Sequence, residues 1–478
     1  MNPSLELPPI PRSLKAAFSI GSTGEAMVFT AVSTFVLIFY NQVKGLPPHL
    51  VATAYSVGIL LNAVTEPLVG SLSDRTRTRI GRRHPFMFAA IIPVGLCFYG
   101  LFNPPPSLGQ AGQLAWLAII NVLLWQALSL FHVPHLALGG ELSRDYIERS
   151  RVMAWNSFFL WMGDSLSWLL GFAWFFRPSP QVANGALDAG RYPAFSLCVA
   201  LMVTTLLTLS AVATLAAARR VPQALPGAAP FGARSLLKDI RQALANRNYR
   251  ALLFGSIAYS LMSGVRSGLT IYVFTYFWRI TSTQQSLFVI GSFAGYLLGC
   301  STVARLHARF GKRWTNIAAV LFNVLVPAVP IVLGMTGVIS PISPGLMVTL
   351  IAFAALGHMG YSLLVTTQNS CIADIGDENE LRFSERQQGI LYSTRTLFIK
   401  LDQAFGAALA GWVLTIIRFP ANARIGQVPS QTLNALAWSF VIAAIPALIG
   451  ICFFARYRLD RRAWDQTRAT LRAQSTLP

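Results

Sequence analysis

Long apolar runs separated by short polar stretches dominate the chain, and the polar residues inside those runs fall mostly one at a time. A helix needs about 20 apolar residues to cross the hydrocarbon of a bilayer. Segments of that kind recur at 15–42, 50–72, 86–103, 112–138, 150–175, 193–218, 250–279, 283–305, 314–337, 343–370, 385–417 and 431–456. The pattern predicts an all-α polytopic membrane protein of 12 transmembrane helices. Basic residues alternate between the connections. The loops 73–84, 219–249 and 305–313 and the tail from Arg456 carry Arg and Lys clusters, whereas 103–112 and 338–343 carry none. Cationic loops are retained on the cytoplasmic side, so both termini are expected there.

The longest connection, 219–249, divides the spans six and six. Its Pro/Ala/Gly-rich start, 221–230, reads as a linker. The basic stretch Ser235–Asn248 reads as an amphipathic helix on the membrane surface. The expected organisation is a bundle at 1–218, a cytoplasmic linker at 219–249, a second bundle at 250–457 and a cytoplasmic tail at 458–478. The halves repeat weakly. Gly81-Arg82-Arg83 follows the second span and Gly311-Lys312-Arg313 follows the eighth, and acidic loops follow the fourth and tenth. Two six-helix units around a central linker are the plan of major facilitator transporters, whose substrate site lies between the halves near the midplane.

Composition sharpens the class. The 478 residues are 54% hydrophobic and 12% charged, about half the charge of a soluble domain. The net charge of +20 sits in alternate short loops, which makes it a topology signal and argues against a nucleic-acid partner. The five cysteines are scattered without metal spacing. No cleavable signal peptide is evident, and no filter-like loop, nucleophile motif or cofactor motif points to a channel or an enzyme.

Ionisable groups at membrane depth are costly and mark function. They are Glu25, Glu66, His132, Asp164, Arg266, His358, Arg395, Lys400 and Asp402. The acidic ones concentrate in the first half and the basic ones in the second, an arrangement suited to ion-pair switching or to static salt bridges. Glu66 stands out. Asn62 precedes it by one turn on the same face, Thr65 adjoins it, and Pro67 removes the helical donor of the Ala63 carbonyl. A carboxylate, an amide, a hydroxyl and a freed carbonyl suit a small hard cation, and a buried Glu also suits a proton. Lys400 is the candidate counter-charge. His132, with Pro134 and His135 after it, is a candidate for hydrogen bonding cargo or titrating. Trp155 and Tyr272 offer rings for a sugar, and Arg266 and Glu25 offer charge. In the loops, Asp74, Arg82, Arg83, Asp145 and Arg149 are the candidates for conformational control.

These residues carry a resemblance. The segment Asn62-Ala-Val-Thr-Glu-Pro-Leu-Val-Gly70 with the arginine loop, the Asp145–Arg149 loop, and Tyr392–Lys400 resemble the glycoside–pentoside–hexuronide:cation symporters, the melibiose permease-like family. The element Gly81-Arg-Arg-His-Pro85 is also similar to one in plant sucrose transporters. The resemblance implies a major facilitator fold and cation-coupled glycoside uptake. It places Glu66 on the family's cation-site aspartate before Pro, and Asn62 on a second aspartate one turn earlier. Thr396 and Lys400 fall on the threonine and lysine of the eleventh helix. The first-helix sugar-binding aspartate aligns near Ala26, with Glu25 about 100° around the helix from it. The fourth-helix aspartate is replaced by His132, the tryptophan after it by Leu136, and the fifth-helix arginine by Asn156. Loss of one cation-site carboxylate weakens the case for sodium and raises that for a proton.

The expectation is a monomeric cation-coupled symporter in a bacterial inner membrane. It would carry H+ or Na+ with a sugar or glycoside, and hold no cofactor and no metal beyond a possible Na+ at Glu66. One alternative keeps the fold and changes the cargo to a lipid or other amphipathic solute. Another is a non-transporting membrane sensor or scaffold.

Overall fold

The computed structural model describes residues 10–142, 146–180, 182–218, 233–383 and 388–459, and among these it is helical with no strand. The first unit holds α1 (Arg12–Ile38), α2 (Pro48–Arg75), α3 (His84–Leu101), α4 (Gln110–Glu141), α5 (Tyr146–Leu169) and α6 (Tyr192–Ala218). The second holds α7 (Ala233–Ala245), α8 (Arg247–Tyr272), α9 (Ser282–Ser286), α10 (Phe288–Met335), α11 (Leu346–Phe383), α12 (Gln388–Ile416), α13 (Ser430–Ile442) and α14 (Ile445–Phe454). The chain divides into two compact units, Met1–Phe231 and Gly232–Pro478.

Local chemistry sets the helix ends. Pro48 opens α2 at a position where its missing N–H costs nothing. Asn246 caps α8 through the Tyr249 N–H, and Thr281 forms a reciprocal capping box with Gln284 at α9. α10 is two arms joined at Gly311, whose φ of 76° a side chain would strain.

Nine helical stretches among the described residues are long and apolar enough to cross a membrane. One of them, Ser282–Met335, contains the Gly311 break. α5 and α8 lie outside the nine, and they carry Asp164 and Arg266. Their 24 and 26 residues give lengths of about 36 and 39 Å at about 1.5 Å per residue, enough to span. With α10 counted as two arms and α13–α14 as one interrupted span, the order is consistent with twelve.

The units repeat one packing scheme. In the first, α1 lies on α5 and α6, α2 on α4, and α3 on α4 and α6. In the second, α8 lies on α12 and α14, and α10 packs chiefly on α11. α2 shows how sequence orients a span. Leu61, Val64, Leu68 and Leu72 recur at helical spacing and are exposed, as a lipid-facing stripe must be. Asn62 and Ala63 are buried on the opposite face, and Glu66 is half-buried there. The basic amphipathic helix expected in the linker forms as α7, and the 219–232 part of the linker lies outside the described residues.

Candidate functional site

The polar cluster between α2 and α4 grows from the sequence around Pro67. Asn62 Nδ2 donates to Glu66 Oε1 at 3.2 Å. Ser129 of α4 donates through Oγ to Asn62 Oδ1 and sits 3.5 Å from Glu66 Oε1. Thr65 Oγ1 lies 2.5 Å from Gln126 Oε1, and 3.0 and 3.2 Å from the carbonyls of Leu61 and Asn62. The result is a carboxylate with amide and hydroxyl oxygens around it, a donor set that suits a hard cation. Ser129 and Gln126 join the residues expected from sequence. The two helices are registered just above this cluster. Asn121 Nδ2 donates to the carbonyls of Ala54 and Tyr55 at 3.2 and 2.9 Å, and Trp125 Nε1–H donates to Asn121 Oδ1 at 3.0 Å. This approach requires Gly58, because a Cβ there would lie 2.2 Å from Asn121 Nδ2.

A second polar cluster joins α1 to α4. Glu25 is buried, and its Oε2 lies 2.6 Å from His132 Nδ1 while its Oε1 lies 2.9 Å from His135 Nδ1. The offset from Ala26 decides this. Ala26 packs toward Gly163 of α5, and Glu25, a third of a turn away, faces α4. Asn156 of α5 is buried and accepts from Ser22 Oγ. Trp155 is half-buried and stacks on Phe159 at 6.1 Å. Asp164 accepts from Thr30 at 2.5 Å.

The second unit changes two expectations. Arg266 was a candidate for binding cargo, but it is buried and donates to three backbone carbonyls: Phe440 at 3.1 Å, Asn323 at 2.9 Å and Val324 at 3.2 Å. Two of these carbonyls have lost their helical donors. The residue four beyond Asn323 is Pro327, which has no N–H. Ala444, four beyond Phe440, bonds Val441 at the break between α13 and α14. Arg266 therefore closes the exposed backbone of two interrupted helices, and its ring neighbour is Phe440 at 4.9 Å. Tyr272 is fully enclosed against Tyr276 and Phe419, at 6.2 and 5.3 Å between centroids, so its ring packs the unit and presents no face to a sugar.

On α12, Thr396 is exposed and donates to the Tyr392 carbonyl at 2.9 Å. Lys400 is half-buried one turn further on. Arg395 donates to Gln368 Oε1 at 2.6 Å.

The loop candidates Asp74, Arg82 and Arg83 come together with a carboxylate the sequence reading passed over. Arg82 and Arg83 each donate to Glu141 Oε1 at 2.7 Å, Arg83 pairs with Asp74 at 2.5 Å, and Arg83 Nη1 donates to Ser73 at 2.6 Å. The second unit repeats the device, with Lys312 paired to Asp374 at 2.6 Å. Glu141 ends α4 and Asp374 lies in α11, the corresponding span of the repeat. Asp145 and the side chain of Arg149 lie outside the described residues.

A polytopic helical protein with two like-packed halves and polar clusters inside its spans has the build of a carrier. The chain matches the model of the MFS/sugar transport protein family over residues 17–461 and belongs to that family. It is thus a multi-pass membrane transporter of the major facilitator fold, and not an enzyme. It is 26% identical to a putative glycoside/cation symporter of Escherichia coli strain K12 over 91% of this chain and 89% of that protein. It is 22% identical to the isoprimeverose transporter of Lactiplantibacillus pentosus, over 90% of this chain and 85% of the other. The fold matches the inward-facing crystal structure of a bacterial homologue of the human lysosomal transporter Spinster. There the TM-score is 0.64 at 13% identity, over 96% of this chain and 97% of that one.

Proposed function

We propose that this protein is a cation-coupled symporter for a sugar or glycoside, working by alternating access with a proton or sodium ion bound at Glu66. The observation that carries the reading is the oxygen-rich cluster of Glu66, Asn62, Thr65, Ser129 and Gln126 between α2 and α4. The names of the full-length relatives agree with it, since one is a putative glycoside/cation symporter and another carries isoprimeverose. In this reading Lys400, with Thr396 beside it, is the counter-charge to Glu66 when the cation site is empty. Of the cargo candidates in the first bundle, His132 and Trp155 keep exposed surface, and Glu25 and Asn156 are buried and act through their partners His132 and Ser22. The bundles are 1–218 and 250–457, joined by 219–249 and followed by a tail at 458–478. The carrier is a monomer of a bacterial inner membrane with both termini cytoplasmic, as the basic loops support. Loop–helix pairs at Arg82, Arg83, Asp74 and Glu141 hold one state of the cycle, a role the sequence also suggests for Asp145 and Arg149.

The test is uptake of a glycoside panel into proteoliposomes under separate sodium and proton gradients. Accumulation driven by one gradient, and abolished in Glu66→Gln with folding intact, is the expected result. Undiminished accumulation by Glu66→Gln would remove Glu66 from coupling. Transport of a lysolipid in place of every sugar would shift the cargo, and gradient-independent silence toward all solutes would leave a sensor or scaffold.

A further inference from the structure

We propose that Glu25 and His135 form a buried proton-binding pair that latches α1 to α4, separate from the cation site at Glu66. The other ring nitrogen of the histidine sets its tautomer. His135 Nε2 lies 2.8 Å from the carbonyl oxygen of Phe18. A carbonyl only accepts, so Nε2 carries a hydrogen. Ser210 Oγ donates its own hydrogen to the same carbonyl at 3.0 Å, which leaves Nε2 no alternative donor in that contact. The ring's Nδ1 then faces Glu25 Oε1 at 2.9 Å. A neutral imidazole and a carboxylate would meet there lone pair to lone pair, in a site where the two side chains are 2% and 7% exposed. A proton between Nδ1 and Oε1 removes that repulsion. It resides as imidazolium facing carboxylate, or as a carboxylic acid donating to imidazole. Either way the pair holds one proton more than neutral histidine plus ionised glutamate, and it takes that proton from water without any other bond changing.

Among the described residues, the following charged groups of the neighbouring helices are bonded elsewhere. On α1, Lys15 is paired with Glu148 of α5 at 2.7 Å. Asp164 of α5 is held by Thr30, and Glu66 of α2 by Asn62. On α3, His84 lies 3.1 Å from Thr214. α6 contains no Asp, Glu, Lys, Arg or His. Glu141, at the far end of α4, serves Arg82 and Arg83. The group that does face the pair is His132, whose Nδ1 is 2.6 Å from Glu25 Oε2 and whose side chain is 38% exposed. It connects the buried pair with the surface of the unit and is the route by which the proton enters and leaves.

The latch has a mechanical consequence. The His135 ring is caged by Phe18 of α1 at 4.4 Å and Phe131 of α4 at 5.1 Å. Loss of the proton turns the Nδ1–Oε1 contact into a repulsion, while His135 Nε2 still bonds the Phe18 carbonyl and His132 still bonds Glu25, so the α1–α4 latch is weakened at this point. Proton occupancy thereby tunes the strength of the α1–α4 contact whatever the cargo is.

Ring-nitrogen NMR of the full-length chain in lipid, labelled in histidine and titrated over about pH 6 to 8, tests this without any transport. His135→Asn assigns the signals. The expected result is a His135 Nδ1 signal displaced from the free-acceptor position in the wild type, and a return toward that position in Glu25→Gln. A wild-type Nδ1 at the free-acceptor position throughout the range overturns the proposal even if Glu25→Gln fails to fold. Because no substrate or sodium is present, the outcome is independent of the role proposed for Glu66.

Discussion

Replacing Arg266 with methionine keeps the apolar stem and removes all three bonds to the carbonyls of Phe440, Asn323 and Val324. Side-chain hydrogen bonds between helices in a bilayer average about 0.6 kcal/mol each and reach about 1.7. Three of them give a loss of about 2 to 5 kcal/mol. The upper part of that range is favoured, because the Asn323 carbonyl has no helical donor to fall back on. Arg266→Lys restores the charge and one or two donors, but a single ammonium cannot span carbonyls on both α10 and α13, so it should recover less than half of the loss. Equilibrium unfolding of the purified protein in mixed micelles measures both variants. If Arg266→Met costs less than about 0.5 kcal/mol, the threshold of a minor surface change, while uptake changes chiefly in KM, the guanidinium is a cargo contact and the structural reading is wrong.

Three further outcomes follow from the geometry. Gly58→Val places a Cβ 2.2 Å from Asn121 Nδ2 and should destabilise by about 1 to 3 kcal/mol, with Gly58→Ala milder; thermal unfolding reads this, and an unchanged midpoint would refute the close α2–α4 approach. Ser129→Ala removes a hydroxyl from the Glu66 cluster and should raise the driving-cation concentration for half-maximal uptake roughly fivefold, about 1 kcal/mol; an unaltered cation dependence would remove Ser129 from the site. Glu141→Gln leaves Asp74 as the charged partner of Arg83, beside its bond to Ser73, and should cost about 1 kcal/mol. Its counterpart Asp374→Asn should behave alike if the two halves use one device, and opposite signs would break the parallel.

Class and frame are legible in the hydrophobic pattern of the chain. Apolar length fixed where helices cross, because a bilayer leaves the backbone no alternative to internal hydrogen bonding. The glycine–basic repeat after the second and eighth spans marked where the two halves correspond, and the carboxylates Glu141 and Asp374 that pair with it came from the packed structure. The Asn62-to-Pro67 segment announced its own cluster, because residues one turn apart must share a face. The partners from α4 were partly legible too. Gln126, Ser129, His132 and His135 recur every third residue, and each such step drifts about 60° around the helix. Only the packed structure shows what that drift does: the upper pair turns to α2 and the lower pair to α1, so one polar stripe serves two clusters.

Arg266 and Tyr272 show the same limit. A charge or a ring within a span looks the same in sequence whether it faces cargo or neighbouring backbone. The difference is made by Pro327 and the α13–α14 break, 61 and more residues further along the chain, whose freed carbonyls become the arginine's partners. Segment length and local spacing act within one helix and can be read from it. Which helix stands opposite is settled by long-range packing, and that is where the chemistry of Glu25, His135 and Arg266 was decided.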